Sequence, residues 1–460
     1  QYDRSEPPFG DLPLIEMPEV WTAELANGAS LFGIENNELP LVTFDLVFDA
    51  GSWMDPDGKV GTASLVADML NEGTATKTAA ELEQAIGLLG AGISVSADSD
   101  SVTISATTLA RNFEDVAALI VEMLTEPRWD EDYFAREKSA ALTTIKDREA
   151  SPPYIAANAF AKLLYGADHP KGRFSIGTEE SVSAIELDDL KAYFDEMLAT
   201  NVRMHIAGAV SQERAEAVFG EIAGLLDEEK VALPKYAIPE QDDEGKVYFI
   251  DVPGSKQSVL AIGKLTVATP HPDYNKIVFA NEKLGGGISG DLAQVLRIEK
   301  GYTYGAYSYV TGGLVPQPFR IGTSVRANAT EPSLEVIRDM LVQYGPDFDE
   351  AAVELTRQKL VKEDTRAFES LSEKLGTLRE ISKYGKSLTF VEDEQQELLS
   401  MPLEEYKRVI AEYLAEPDMT WIIIGDGETQ LEPVKSFAGG EVTLLDIFGD
   451  PVEAGTPSEE

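Results

Sequence analysis

The chain repeats itself on the scale of whole domains. Leu187 to Ala199 (Leu-Asp-Asp-Leu-Lys-Ala-Tyr-Phe-Asp-Glu-Met-Leu-Ala) lines up with Leu403 to Ala415 (Leu-Glu-Glu-Tyr-Lys-Arg-Val-Ile-Ala-Glu-Tyr-Leu-Ala), 216 positions apart. Each of these amphipathic segments runs into an apolar stretch read as a strand. The strand centres Leu46 and Ile262 share that spacing, and each precedes a helix. A repeat this long constrains the fold strongly, because whatever one copy forms the other must form too, each with its own core. Strands at Trp21 to Leu25, Ser30 to Ile34 and Leu41 to Phe48 in one copy, and at Val247 to Asp251 and Ser258 to Lys264 in the other, alternate with helices. The expected fold is α+β, in two homologous domains. Residues 1–20, rich in proline and acid, read as an extended arm, and 21–230 as the first domain. Residues 231–246 form an acidic linker, 247–440 the second domain and 441–460 an acidic tail.

The charge balance narrows the partners. Eighty-one Asp and Glu against 38 Lys and Arg give a net charge of −43, which repels phosphate backbones and anionic lipid, so no nucleic acid and no membrane surface is expected. No apolar run approaches the roughly 18 residues of a membrane span, and the chain reads as soluble. With no cysteine there is neither a disulfide nor a thiolate metal site. His169, His205 and His271 are the whole histidine complement, and none is within helical reach of another, so no metal is expected in this chain. A start at Gln1 and the lack of cysteine suit a periplasmic protein after signal removal; a trimmed cytoplasmic fragment fits equally well.

Gly61 to Thr74 (Gly-Thr-Ala-Ser-Leu-Val-Ala-Asp-Met-Leu-Asn-Glu-Gly-Thr) carries apolar residues at helical spacing and a glycine stop. Alone it predicts a buried helix of an ordinary kind. Its frame, Gly61 and Gly73-Thr74, resembles the signature helix of the insulinase/pitrilysin zinc metallopeptidases, where the inverted motif His-x-x-Glu-His holds zinc and a general base. The resemblance puts Ser64, Ala67 and Asp68 at the three motif positions, and serine and alanine can neither replace an imidazole nor take a proton from water. It also puts Glu137 at the first of a pair of glutamates seven residues apart and Thr144 at the second, the remaining zinc ligand. The first domain therefore reads as peptidase-like with a degenerate zinc motif. Each domain is expected to be a mostly antiparallel sheet covered by helices.

A second constellation is intact. Arg297 and Tyr304, in Arg-Ile-Glu-Lys-Gly-Tyr-Thr-Tyr-Gly, resemble the arginine/tyrosine pair in the zinc-lacking half of the same family, and Gly285-Gly286-Gly287 resembles the glycine-rich turn before it. What the resemblance implies is a non-catalytic partner, inactive alone. Arg297 and Tyr304 would bind substrate and stabilise the oxyanion at a site completed by a zinc-bearing homologous subunit or amino-terminal half. The peptide substrate would add to an edge strand, for which Ile93, Ser94, Val95, Ser96 and Ala97 are the candidates, with Gly285, Gly286 and Gly287 beside it. The alternatives are a scaffolding member without a peptidase role, akin to the core subunits of a respiratory complex, and a peptide-binding homodimer.

Overall fold

The repeat is realised as two six-stranded sheets that share the order of five strands and differ in the outermost one, which is the first strand of the chain in one sheet and the last in the other. In the computed structural model, which describes residues 12–240 and 245–452, the first sheet comprises β1 (Trp21–Glu24), β2 (Ser30–Glu35), β3 (Leu41–Phe48), β4 (Gly92–Ala97), β5 (Val102–Leu109) and β6 (Val202–Gly208). Its order is β1-β2-β6-β3-β5-β4, with only β2 and β6 parallel. The second comprises β7 (Val247–Asp251), β8 (Gln257–Leu265), β9 (Thr303–Val310), β10 (Pro318–Arg326), β11 (Thr420–Gly425) and β12 (Thr443–Leu445). Its order is β12-β7-β11-β8-β10-β9, with β7 parallel to both β11 and β12 and the other pairs antiparallel. Both sheets are mixed with an antiparallel majority, and each is covered by helices as expected for α+β.

Local signals set the elements. Thr78 and Glu81 form a reciprocal capping box at the start of the Ala79–Leu88 helix, satisfying two backbone N–H groups that the helix itself cannot. Asp55 reaches forward to the helix Thr62–Leu70, its two carboxylate oxygens accepting from the N–H groups of Gly61 and Ala63 at 2.8 Å each. Gly61 sits at φ +108°, and a Cβ there would lie 2.7 Å from the carbonyl oxygen of Ile176, so only glycine fits. The Phe390–Ser400 and Gly427–Phe437 helices carry weak sequence signals, the first because of its acids and the second because of Pro433.

Each copy lends one helix to the other, which corrects the simple division at residue 230. Pro152–Tyr165, from the first copy, lies on the second sheet: Ile155, Phe160 and Leu164 are buried with Val259, Ala261, Ile422 and Ile424. Burying each such side chain contributes roughly 1.5–3 kcal/mol. The Tyr165 hydroxyl donates to the carbonyl of Pro316 at 2.7 Å, and Arg320 stands over the Phe160 ring at 5.2 Å. In return Leu371–Tyr384, from the second copy, packs across β2, β3 and β6. This seat is polar. Asp45, wholly buried in the middle of β3, accepts from Arg379 Nε at 2.6 Å and faces His205 Nδ1 at 2.5 Å, while His205 Nε2 is 2.6 Å from the Ser382 hydroxyl.

The termini and linker also cross between the copies. The arm contributes Ile15 and Met17, whose N–H groups donate to Gln395 and Glu392 of the second copy; residues 1–11 lie outside the described part. In the linker, Pro234 accepts from Trp53 Nε1 at 2.7 Å and the Tyr236 hydroxyl donates to the Trp53 carbonyl at 3.0 Å, so it is strapped to the first copy; 241–244 lie outside the described part. The tail expected from 441 is corrected at its start: Thr443–Leu445 is β12, paired with β7 through apolar Leu444 and Leu445, and 453–460 lie outside the described part.

Burial holds the His205 pKa below its ordinary 6.5, against the opposing pull of Asp45. A lowered histidine pKa means that the unfolded chain binds the proton first, so stability is full above about pH 6.5 and falls as the pH drops through the folded value. Urea midpoints are expected to fall between pH 7.5 and 5.5, and to fall less in His205→Gln. Asp45→Asn leaves Arg379 and His205 facing a neutral group and is expected to cost about 3–5 kcal/mol in the same titration.

Candidate functional site

The Thr62–Leu70 helix packs against the Glu131–Glu149 helix, bringing the degenerate motif positions to one face. Ala67 is buried as packing, at 2% exposure. Ser64 is half-buried, and the Thr144 hydroxyl is turned back on its own helix, donating to the carbonyl of Ala140 at 3.0 Å. Asp68 meets two further carboxylates, Glu72 and Glu137, both of which pair with Arg136. Burial first, then the charges of Glu137 and Glu72, push the Asp68 carboxyl up to about 6. Zinc requires three or four converging nitrogen, sulfur or carboxylate donors. Here one position is a methyl, two are hydroxyls, and the neighbouring carboxylates hold a guanidinium. Among the described residues no group of three His, Cys, Asp or Glu is placed to hold a metal ion. The residues present do not fit zinc.

The edge strand proposed for substrate is at the sheet edge, since β4 ends the order. Its centre is already engaged. Asn71, just past the motif helix, donates from Nδ2 to the Val95 carbonyl and accepts from the Val95 N–H, both at 3.1 Å. This side-chain amide mimics the strand that an added peptide would supply. No local sequence pattern marked Asn71, because its partner lies 24 residues away.

In the second copy, Arg297 lies on a π-helical stretch, Gln294–Glu299, a rare winding that recurs at functional sites. It is half-buried, and its side chain makes no hydrogen bond or ion pair among the described residues. Tyr304 lies on β9, the far edge of its sheet. The β9/β10 register pairs Ala306 with Thr323 but Thr303 with Val325, so Tyr304 and Gly305 together oppose the single residue Ser324. This is a β-bulge, which bends an edge and re-aims its side chains. Thr303 braces it, donating to the Ser324 carbonyl at 2.7 Å and accepting from the Gly305 N–H at 3.1 Å. Tyr304 is left 87% exposed. The glycine turn has a packing reason: a Cβ on Gly285 would lie 2.1 Å from the Ser308 hydroxyl of β9, and one on Gly286 would strike Glu282. Close approach of the Tyr274–Gly285 helix to β9 therefore requires Gly285.

A carboxyl with a raised folded pKa stabilises the fold only while protonated, so the Asp68 contribution is lost as the pH rises from about 3.8 through about 6. Asp68→Asn is expected to raise stability at pH 7.5 by roughly 1–3 kcal/mol and to leave it unchanged near pH 4, read by urea denaturation at both pH values.

Residues 33–169 match the family profile described as Insulinase (Peptidase family M16), and residues 184–360 match that described as Peptidase M16 inactive domain. The chain is similar to the Non-peptidase homolog YmxG of Helicobacter pylori, 20% identical over 395 residues that cover 85% of this chain and 90% of that protein. It is also similar to the Uncharacterized zinc protease YmxG of Bacillus subtilis, 22% identical over 70% of this chain and 77% of that one. A crystal structure described as a peptidase M16 inactive domain from Pseudomonas fluorescens superposes with a TM-score of 0.81 at 28% identity, covering 88% of this chain and 98% of the other. With both halves matched and the fold shared, the chain belongs to peptidase family M16, the insulinase family.

Proposed function

We propose that this chain is the non-catalytic partner of a zinc metalloendopeptidase, contributing Arg297 and Tyr304 to a site whose metal and base come from a zinc-bearing homologous subunit or half. The observation that carries this reading is Tyr304: a bulge on an edge strand turns a tyrosine into solvent, 87% exposed, in a chain that has none of the family's metal ligands at Ser64, Asp68 and Thr144 and no base at Ala67. Exposing so large an apolar ring forgoes its burial free energy, and a bulge that maintains it favours a partner outside the chain.

In that role the phenolic O–H donates to the oxygen on which charge develops as a peptide carbonyl is attacked. Loss of one such donor in acyl-transfer enzymes costs roughly 2.7–4 kcal/mol. The unpaired Arg297 guanidinium supplies a planar fork of donors for the peptide's carbonyl groups or terminal carboxylate. Such a peptide carries basic residues to match the acidic surface. We place the pair in the periplasm, which suits a cysteine-free chain; among the described residues no helix is long and apolar enough to cross a membrane.

A scaffolding role is the second reading, and the engagement of Val95 by Asn71 favours it, because a peptide pairing with β4 must first displace that side chain. Purified alone, the chain is expected to contain no stoichiometric zinc by elemental analysis and to cleave no peptide. Together with a copurifying homologue that carries His-x-x-Glu-His, it is expected to support chelator-sensitive cleavage. In that pair Tyr304→Phe should lower kcat about 100-fold without changing the elution volume of the complex; an unchanged rate favours the scaffold.

A further inference from the structure

Beside the degenerate motif lies a cavity of about 140 Å³. Val60, the residue before the Gly61 cap, forms one wall and Ile145, the residue after Thr144, another; Ile155, Phe174 and Ile176 complete an apolar lining. The chain's last described segment forms a further wall. Asp446 accepts from the N–H groups of Phe448 and Asp450 at 2.9 Å, and Lys162 holds the Phe448 carbonyl at 3.2 Å, so that the Phe448 side chain lines the cavity. An apolar cavity of about 150 Å³ accepts a benzene ring, so this one has room for a benzyl or isobutyl group.

Two arginines line the same cavity, Arg148 and Arg173. In a chain with 81 acidic and 38 basic side chains, neither makes an ion pair or a side-chain hydrogen bond among the described residues. Arg148 lies on the ring of Tyr154, 4.4 Å from its centroid. Arg173 has its Nε buried without a partner. Asp55 is close enough to feel its charge, but both Asp55 oxygens are engaged by the backbone N–H groups of Gly61 and Ala63. An unsatisfied guanidinium nitrogen at an apolar cavity calls for an acceptor. The other charged group in the lining is Glu149, a hydrogen-bond acceptor. Asn158 is turned to the Phe448 carbonyl at 3.4 Å, and the Ser181 hydroxyl to that of Val60 at 2.8 Å.

We propose that this cavity binds the carboxy-terminal residue of a peptide ending in an apolar side chain. The side chain fills the cavity, the terminal carboxylate receives the forked donors of Arg173 and Arg148, and Glu149 accepts the backbone N–H of the same residue. This reading concerns the isolated chain and stands apart from any zinc-bearing partner.

Calorimetric titration of the purified chain with a heptapeptide ending in phenylalanine tests it, with the free acid compared with the carboxamide. The free acid is expected to bind saturably and the carboxamide at least tenfold more weakly. Arg173→Gln, with unchanged thermal unfolding, is expected to weaken the free acid at least tenfold. N-acetylphenylalanine separates a peptide end from a free apolar acid: binding of the small acid without binding of the peptide overturns the proposal. So does equal affinity for acid and amide, or the absence of saturable binding. The acid and amide comparison uses the intact protein, so it decides even if Arg173→Gln fails to fold.

Discussion

The architecture depends on a reciprocal loan. Neither sheet is covered on both faces by its own segment of chain; each receives one helix from the other copy, Pro152–Tyr165 in one direction and Leu371–Tyr384 in the other. The two seats are chemically different. The first is apolar, so its strength scales with buried area and has little angular preference. The second is built on a charge in the middle of a strand, where Asp45 must receive Arg379 and His205 or pay for burial alone. A polar seat of this kind is intolerant of slippage, because a shift of one residue leaves buried groups unpaired. The apolar seat supplies adhesion and the polar one register.

The same network has the order of a serine, histidine and aspartate relay. With Arg379 donating to Asp45, the carboxylate faces Nδ1 of the imidazole, and Nε2 lies 2.6 Å from the Ser382 hydroxyl, which also donates to the carbonyl of Arg379. Its surroundings argue for a clamp. Asp45 and His205 have no exposure, and the atoms that meet belong to the two copies that the lent helix joins. Rigid joining in turn sets where the two halves' edges stand: β4 beside the motif helix, with Asn71 in its central hydrogen-bonding position, and β9 with its bulge.

Much was legible in the chain. The 216-residue repeat reflects periodic apolar patterns, which are local, and the paired sheets follow from it. Leu41–Phe48 begins and ends where its pattern does, since its alternation was unbroken. The Gly61 frame was legible because a positive φ and a crowded Cβ position leave only glycine. By contrast, Gly285-Gly286-Gly287 read as part of a binding site, while the contact with Ser308 that explains Gly285 appears only when helix and strand are brought together. The start of the acidic tail was hidden for a related reason: a short edge strand such as β12 acquires its identity from its neighbour β7 and not from its own few residues.

By itself the sequence determined that the chain is double and that its motif positions carry Ser64, Ala67, Asp68 and Thr144, because side-chain chemistry belongs to each residue wherever it lies. Only the tertiary structure decided which helix covers which sheet, that Asn71 holds the β4 edge, that a bulge turns Tyr304 outward, and that Arg148 and Arg173 share a cavity. Each of these is a relation between segments brought together by folding. Hydrophobic burial selects such relations from many that the local patterns allow equally well.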